Sequence, residues 1–210
     1  MKKYLVKEIF GPTIQGEGSY TGQACLFLRF SGCNKWSGRP EDKPNSICSF
    51  CDTDFVGGER MDSKEIIRRL GEIRGDIEIL VLSGGEPALQ VDEALCKELS
   101  EAGFELHIET NGSRKLGPSL PYLAHITCSP KQKAADTVLE YFHDLKLLFP
   151  FVKGINLEDF KSIHERYENV FLQPVWDDNY TQNIFKTVNR IYKEPNLRLS
   201  LQTHKITGLE

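Results

Sequence analysis

Three cysteines, Cys33, Cys48 and Cys51, lie in the stretch SGCNKWSGRPEDKPNSICSFCDT (31–53), whose Gly, Pro, Ser, Asn and charged residues predict a loop. Thiolates grouped in this way suit a soft metal centre. A structural zinc closes its tetrahedron with four N or S ligands, whereas a four-iron cluster held by three cysteines leaves one iron open. A fourth protein ligand could come from Cys25, Cys96, Cys128 or a histidine, so the thiols alone leave both readings standing. Cys25 and Cys96 fall inside apolar strand and helix patterns, where cysteine behaves as a small hydrophobe, and Cys128 closes a predicted strand. A thiol redox pair would need no third cysteine and would open a helix, and DTDFVGGE (52–59) carries no long amphipathic pattern.

A second motif, SGGEP (83–87), complements the first. Gly84 and Gly85 can bare their backbone to a ligand, and Glu86 can accept hydrogen bonds from an ammonium group. A tight turn before a helix is the plainer reading of a Gly-Gly pair by itself. An open iron, however, needs a chelating ligand, and the amine and carboxylate of an amino acid would serve.

The elements that must position these groups alternate. ACLFLRF (24–30) reads as a buried strand, and MDSKEIIRRLGEI (61–73) as a helix with Asp62 placed to cap it and Ile66, Ile67, Leu70 and Ile73 on one face. IEILVLS (77–83), FELHIET (104–110), AHITCS (124–129), DLKLLF (144–149), NVFLQP (169–174) and LRLSLQ (197–202) predict strands. VDEALCKELSEAG (91–103), LEDFKSIHERY (157–167) and TQNIFKTVNRIY (181–192) predict helices. Strand–helix alternation implies right-handed crossovers and a mostly parallel sheet, with ligands gathered at the carboxyl ends of strands. SGC, SGGEP, ETNG, CSPK, QPVW and QTHK each follow a predicted strand, so all can face one pocket.

The 210 residues fit a single domain, 1–210, and fall short of the roughly 250 typical of a closed eightfold barrel, so the expected fold is α/β with a partial (β/α) barrel and an extended cluster-binding loop. The net charge of −4, with no basic run of five residues, gives no electrostatic footprint for nucleic acid or an anionic membrane. Apolar runs near the N-terminus are broken by Lys7 and Glu8, and no segment reaches about 20 apolar residues, so neither a signal peptide nor a membrane span is expected. Six cysteines without export signals then point to free thiols in a reducing cytoplasm.

Taken together, GPTIQGEGSYTGQACLFLRFSGCN (11–34), CSFCDT, LSGGEP, ETNG, CSPK, QPVW and QTHK make the chain resemble the radical S-adenosylmethionine enzymes, and within them the 7-carboxy-7-deazaguanine synthases of queuosine biosynthesis. The superfamily spaces its ligands Cys-x3-Cys-x2-Cys; here fourteen residues separate Cys33 from Cys48, eleven more than three. Loop closure costs only about 0.6 kcal/mol per doubling of length, so the insertion is compatible with ligation, and some members of the synthase family carry a similar spacing.

The resemblance implies a [4Fe-4S] cluster on Cys33, Cys48 and Cys51, with S-adenosylmethionine chelating the open iron and yielding a 5'-deoxyadenosyl radical on reduction. Phe50, Asp52, Gly85, Glu86, Ser129, Lys131, Gln173 and Pro174 would hold that cofactor, with Glu109 and Asn111 as neighbours. The implied substrate is 6-carboxy-5,6,7,8-tetrahydropterin, met by Ile14, Gln15, Gly16, Glu17, Arg29, Ser83 and the terminal Glu210, with His204 as a further polar contact. Thr53 matches the family's Mg2+ position, where substrate oxygens and waters would complete the octahedron. Hydrogen abstraction, ring contraction and ammonia loss would follow. A homodimer and a reductant such as flavodoxin are implied in the same way. A radical activase acting on a partner protein would lack QGEG and QTHK, and a zinc-stabilised binding domain would hold one metal ion without iron.

Overall fold

The computed structural model of the protein describes residues 2–152 and 154–209. Seven apolar runs become parallel neighbours: β2 (Ala24–Phe30), β4 (Ile79–Gly84), β5 (Glu105–Thr110), β6 (Leu123–Cys128), β7 (Asp144–Phe149), β8 (Asn169–Pro174) and β9 (Leu197–Leu199). Each adds to the same edge of the sheet, which is the progression of a barrel rather than the reversal of a doubly wound fold. Two further strands, β1 (Tyr4–Ile14) and β3 (Glu59–Met61), extend the other edge antiparallel, giving the order β3-β1-β2-β4-β5-β6-β7-β8-β9. The sheet stays open, as the chain length implies.

Neither β1 nor β3 is legible as a strand from the sequence. In β1, shifts of register between Val6 and Glu8 and between Phe10 and Thr13 break the period of two. Its anchor is the cross-strand stack of Phe10 on Phe27, with ring centroids 4.9 Å apart.

Helices α1 (Ser63–Ile73), α2 (Glu93–Glu101) and α4 (Tyr180–Lys193) stand where periodicity places them, followed by the short α5 (Thr203–Thr207). At the start of α1 the Asp62 side chain accepts from Glu65 N at 3.0 Å. Glu65 does not return the bond; its carboxylate pairs with Arg68 and Arg69 instead. Ile66 and Leu70 are fully buried, while Ile67 and Ile73 pack partly buried against the core. The helix expected over 157–167 is shorter: α3 (Leu157–Lys161) ends where the Ser162 hydroxyl donates back to Asp159 O at 2.7 Å, and a 3-10 turn covers His164–Arg166. LRLSLQ is likewise cut to three strand residues, because Ser200 turns inward and its hydroxyl donates to Gln173 Oε1 at 3.0 Å.

Below the carboxyl ends of the strands, polar side chains fill the concave face. Asp144, fully buried, accepts from Ser19 N (3.0 Å), Ser19 Oγ (2.8 Å) and Asn169 Nδ2 (3.0 Å), and faces His125 Nε2 at 3.1 Å. Tyr20 stands edge-on to His107 and His125, with centroids 4.2 and 4.8 Å away. Burial by itself would raise the Asp144 pKa, but the bonds from His125 and Ser19 outweigh it and hold the group below the usual carboxylate range. A depressed folded pKa contributes stability that is present above the unfolded value and lost as pH falls through the folded one. Asp144→Asn is therefore expected to cost about 1–3 kcal/mol at neutral pH and to flatten the acid limb of the stability profile, as read by urea titration at a series of pH values.

Candidate active site

One cavity of about 360 Å³ opens at the carboxyl end of the sheet, and every motif singled out above sends at least one residue to its wall. Cys33, Cys48 and Cys51 line it together with Phe50, Asp52 and Thr53. The loop after Cys33 is tied down on both sides. Asn34 accepts from Asn111 Nδ2 at 3.0 Å and donates to Ser113 Oγ at 2.8 Å, and Lys35 bonds Gln132. Within the fourteen-residue insertion, Lys35 and Trp36 belong to the cavity wall, Trp36 standing edge-on to Phe55 with centroids 5.4 Å apart. Pro40–Asn45 form a 3-10 helix with no buried residue.

The donor set fits an iron–sulfur cluster. All three cysteines line one cavity, and three thiolates leave one iron of a four-iron cluster open to a ligand in that cavity. Burial pushes the Cys48 thiol up to about 11, with Lys131 opposing and Cys51 and Cys33 reinforcing the rise. Cys33 is raised chiefly by burial as well, and its sulfur accepts from Lys35 N at 3.5 Å.

The floor is a glycine turn laid directly on the backbone leading to Cys33. Gly85 N donates to Phe30 O at 3.2 Å and Glu86 N to Gly32 O at 2.9 Å. A Cβ on Gly84, where φ is +128°, would meet Phe30 O at 2.1 Å, and one on Gly85 would meet Gly32 O at 2.2 Å. Only glycine allows this approach. Gly85 and Ser83 face the cavity, whereas Glu86 lies beneath it, 0% exposed. Its carboxylate accepts from Thr110 Oγ1 (2.6 Å), Asn111 N (2.7 Å) and Ala88 N (3.0 Å). Glu86 thus stands as a clasp under the floor with both oxygens engaged. Ser129 and Lys131 line the adjacent wall, with Lys131 Nζ donating to Ser129 Oγ at 2.8 Å and lying 6.0 Å from the Phe50 ring centre. Gln173 and Trp176 line the cavity as well, while Pro174 is buried and not on its wall.

The same cavity is also lined by Ile14, Gln15, Glu17, Arg29, Glu109 and His204. Arg29 reaches the cavity while pairing with Glu8 at 2.6 Å and lying 5.2 Å from the Phe10 ring centre, so its charge is already half-answered from the sheet edge. Gly16 is buried, and its oxygen accepts from Thr203 N at 3.0 Å. Glu210 lies outside the described residues.

Sequence reasoning missed Lys146, which lines the same cavity. Its side chain is 5% exposed and pairs with both Glu17 and Glu109, the latter at 2.8 Å. The signal was a lysine at an inward position of DLKLLF, two residues above Asp144, in a strand otherwise read as apolar. Lys205 was missed as well; it pairs with Asp52 and sits 5.1 Å from the Trp176 ring centre, joining the C-terminal segment to the cysteine loop.

Residues 43–121 match the Radical SAM superfamily. The 7-carboxy-7-deazaguanine synthase of Bordetella pertussis is 40% identical over 215 aligned positions, covering 98% of this chain and 99% of that one. The same enzyme of Bradyrhizobium diazoefficiens is 37% identical with the same coverage. The chain belongs to the 7-carboxy-7-deazaguanine synthase family. The crystal structure of QueE from Escherichia coli is similar to it in fold, with a TM-score of 0.68 over 95% of this chain and 93% of that one, at 23% identity. A radical SAM family assignment brings with it a [4Fe-4S] cluster and S-adenosylmethionine, which agrees with the three thiols on one wall.

Within this synthase frame Gly16 is a sensitive point, since a Cβ there would meet His204 Nδ1 at 2.1 Å and His204 N at 3.1 Å. Gly16→Ala must displace the His204 ring and shift its backbone by a few tenths of an ångström. The expected result is a substrate KM raised about tenfold with a small change in melting temperature, checked by steady-state kinetics beside thermal unfolding.

Proposed function

We propose that the protein is a radical S-adenosylmethionine lyase that converts 6-carboxy-5,6,7,8-tetrahydropterin to 7-carboxy-7-deazaguanine with loss of ammonia. The observation that carries this reading is that three cysteines, a side-chain-free glycine floor and the Arg29–Gln15–Glu17 group share one cavity. When bound, the cluster and S-adenosylmethionine supply the hydrogen-abstracting radical; the chain's own residues bind, orient and exclude water.

In this reading Cys33, Cys48 and Cys51 hold the cluster. Gly85 offers bare backbone to the methionyl end, and Glu86 keeps that turn in place from beneath. Ser129 and Lys131 present a hydroxyl and a cation to its carboxylate and ribose, Phe50 and Asp52 flank the nucleoside, and Gln173 with the adjacent Pro174 closes the adenosine end. Asn111, beside them, pins the cysteine loop. Arg29 takes the pterin carboxylate with a planar fork that lysine lacks, and its partner Glu8 holds that fork in place. Ile14, Gln15, Gly16, Glu17 and Ser83 meet the aminopyrimidinone, with Glu210 as a terminal contact. Thr53 on the wall offers a hydroxyl to Mg2+, which would need substrate oxygens and water to complete six ligands. Residues 1–210 act as one catalytic unit, cytoplasmic and paired as a homodimer, with flavodoxin as the electron source. Among the described residues no helix is long and apolar enough to cross a membrane.

The test is an anaerobic assay of reconstituted protein with carboxypterin, S-adenosylmethionine, Mg2+ and reductant. Formation of the deazaguanine and ammonia is expected. Iron-loaded protein that makes neither defeats the assignment.

A further inference from the structure

Glu17, Lys146 and Glu109 form an ion triad on the cavity wall, two partly buried carboxylates to one buried ammonium. An arrangement with one negative charge in excess is costly away from water unless it is used or bonded. The two carboxylates are not equivalent. Glu17 has a second donor, Gln202 Nε2 at 2.9 Å, and its backbone N donates to Gln15 Oε1 at 3.2 Å. Among the described residues, Glu109 has Lys146 at 2.8 Å and otherwise only Gln15 Nε2 at 3.5 Å. The better-bonded group keeps its charge, and the poorly bonded one can accept a proton.

We propose that Lys146 is a positioning residue that separates the duties of the two carboxylates, leaving Glu17 a fixed anion for the pterin and making Glu109 the carrier of a proton during ammonia loss. The inference rests on the lyase reading above. Substrate and product differ by one ammonia, so no oxidant or reductant is consumed. Release of the amine from the contracted ring is an elimination: a C–H bond and the C–N bond break, the C–H electron pair becomes the new C=C bond, and the C–N pair leaves with nitrogen. The proton leaving carbon passes to a Glu109 oxygen and then to the departing nitrogen, which exits as ammonia. Glu109 ends as it began. Lys146 stays protonated throughout, close enough to hold the Glu109 carboxylate in the cavity.

The electrostatics agree. Burial would drive Glu17 up, but Lys146 and Gln202 outweigh it and bring Glu17 to about 2. Burial and the charge of Glu17 raise Glu109, Lys146 offsetting them only in part. Burial would lower Lys146, and the two carboxylates reverse this. Two acids in one site with pKa values driven apart is the pattern of a fixed anion beside a proton carrier. The titratable groups bearing on Glu109 are Glu17 from the segment after β1, His125 and Cys128 from β6, and Lys146 from β7.

The experiment combines the pH profile of kcat at saturating pterin with infrared titration of the protonated-carboxyl stretch in the reconstituted protein. Glu109→Gln, which leaves the Lys146–Glu17 pair intact, is expected to lower kcat by about 10²–10⁴ and to remove both the acid limb and the carboxyl titration. Lys146→Gln leaves two carboxylates facing each other without a cation, so limb and titration should move together to higher pH by about one unit or more. Lys146→Arg, keeping the charge, should leave both where the wild type has them. Cluster absorption and the melting transition report that each variant folds. If the limb and the carboxyl titration do not move in Lys146→Gln, the role of Lys146 is wrong; if Glu109→Gln turns over at the wild-type rate, the proton carrier is another group. A wild type that makes no deazaguanine defeats the lyase reading instead, while the infrared titration still tests Lys146.

Discussion

Cys48→Ser is expected to bring the iron content of the anaerobically reconstituted protein from about four per chain to near zero and deazaguanine formation to background, with the melting temperature of the metal-free protein nearly unchanged. Cys48 is 4% exposed, and its carbonyl accepts from Cys51 N at 2.9 Å, which closes the turn that aims both sulfurs at the cavity. Serine keeps that backbone bond and the side-chain volume, so the turn survives; what is lost is a soft ligand that a hydroxyl does not replace. The same substitution at Cys25 or Cys96 separates ligation from packing. Both are fully buried in the core, with thiols raised chiefly by burial, to about 12 and about 11. At Cys25 serine places a hydroxyl in the core and stability should fall, whereas at Cys96 the hydroxyl has Ser119 as a partner and the loss should be smaller; iron content per folded chain stays near four in both. Iron analysis and visible absorption of purified variants decide between the two patterns. Loss of cluster from Cys25→Ser with full retention in Cys48→Ser would reverse the ligand assignment.

Much of the parallel sheet was legible because its strands carry continuous apolar runs, as strands buried on both faces do, and because the loops at their carboxyl ends concentrate Gly, Pro and polar residues. Cys33, Gly85, Ser129 and Gln173 could be placed on one cavity from chain order alone. What escaped were features fixed only in three dimensions. β1 was hidden by its register shifts. The Lys146 triad joins residues 17, 109 and 146, which share no local pattern. The position of Glu86 beneath the floor depends on donors from β5 and the residue after it, Thr110 and Asn111, more than twenty residues away in the chain. Short sequence windows show which strand ends carry chemistry; which face of a turn a side chain takes is decided by the partners that the other strands bring.

Glu86→Ala is the second large effect, and it separates a clasp from a ligand contact. The carboxylate is 0% exposed, and removing it leaves the Thr110 hydroxyl and the Asn111 and Ala88 amides without their acceptor. Buried donors stripped of a partner cost about 1–3 kcal/mol each, so a loss of about 3–5 kcal/mol in unfolding free energy is expected by urea titration. Glu86→Gln keeps one acceptor oxygen but turns an NH2 towards donors, and should cost about half as much. Burial holds the Glu86 pKa above the usual carboxylate range despite these bonds, so removing the charge itself brings some relief and the penalty is that of the orphaned donors. In a clasp, stability and S-adenosylmethionine affinity fall together, because Gly85 and Asn111, both on the cavity wall, shift with the released turn. A variant that keeps wild-type stability while losing S-adenosylmethionine binding in an equilibrium titration would instead place the carboxylate on the ligand. The packing argues for the first result, since both oxygens of Glu86 already accept hydrogen bonds, one from Thr110 and Ala88 and the other from Asn111.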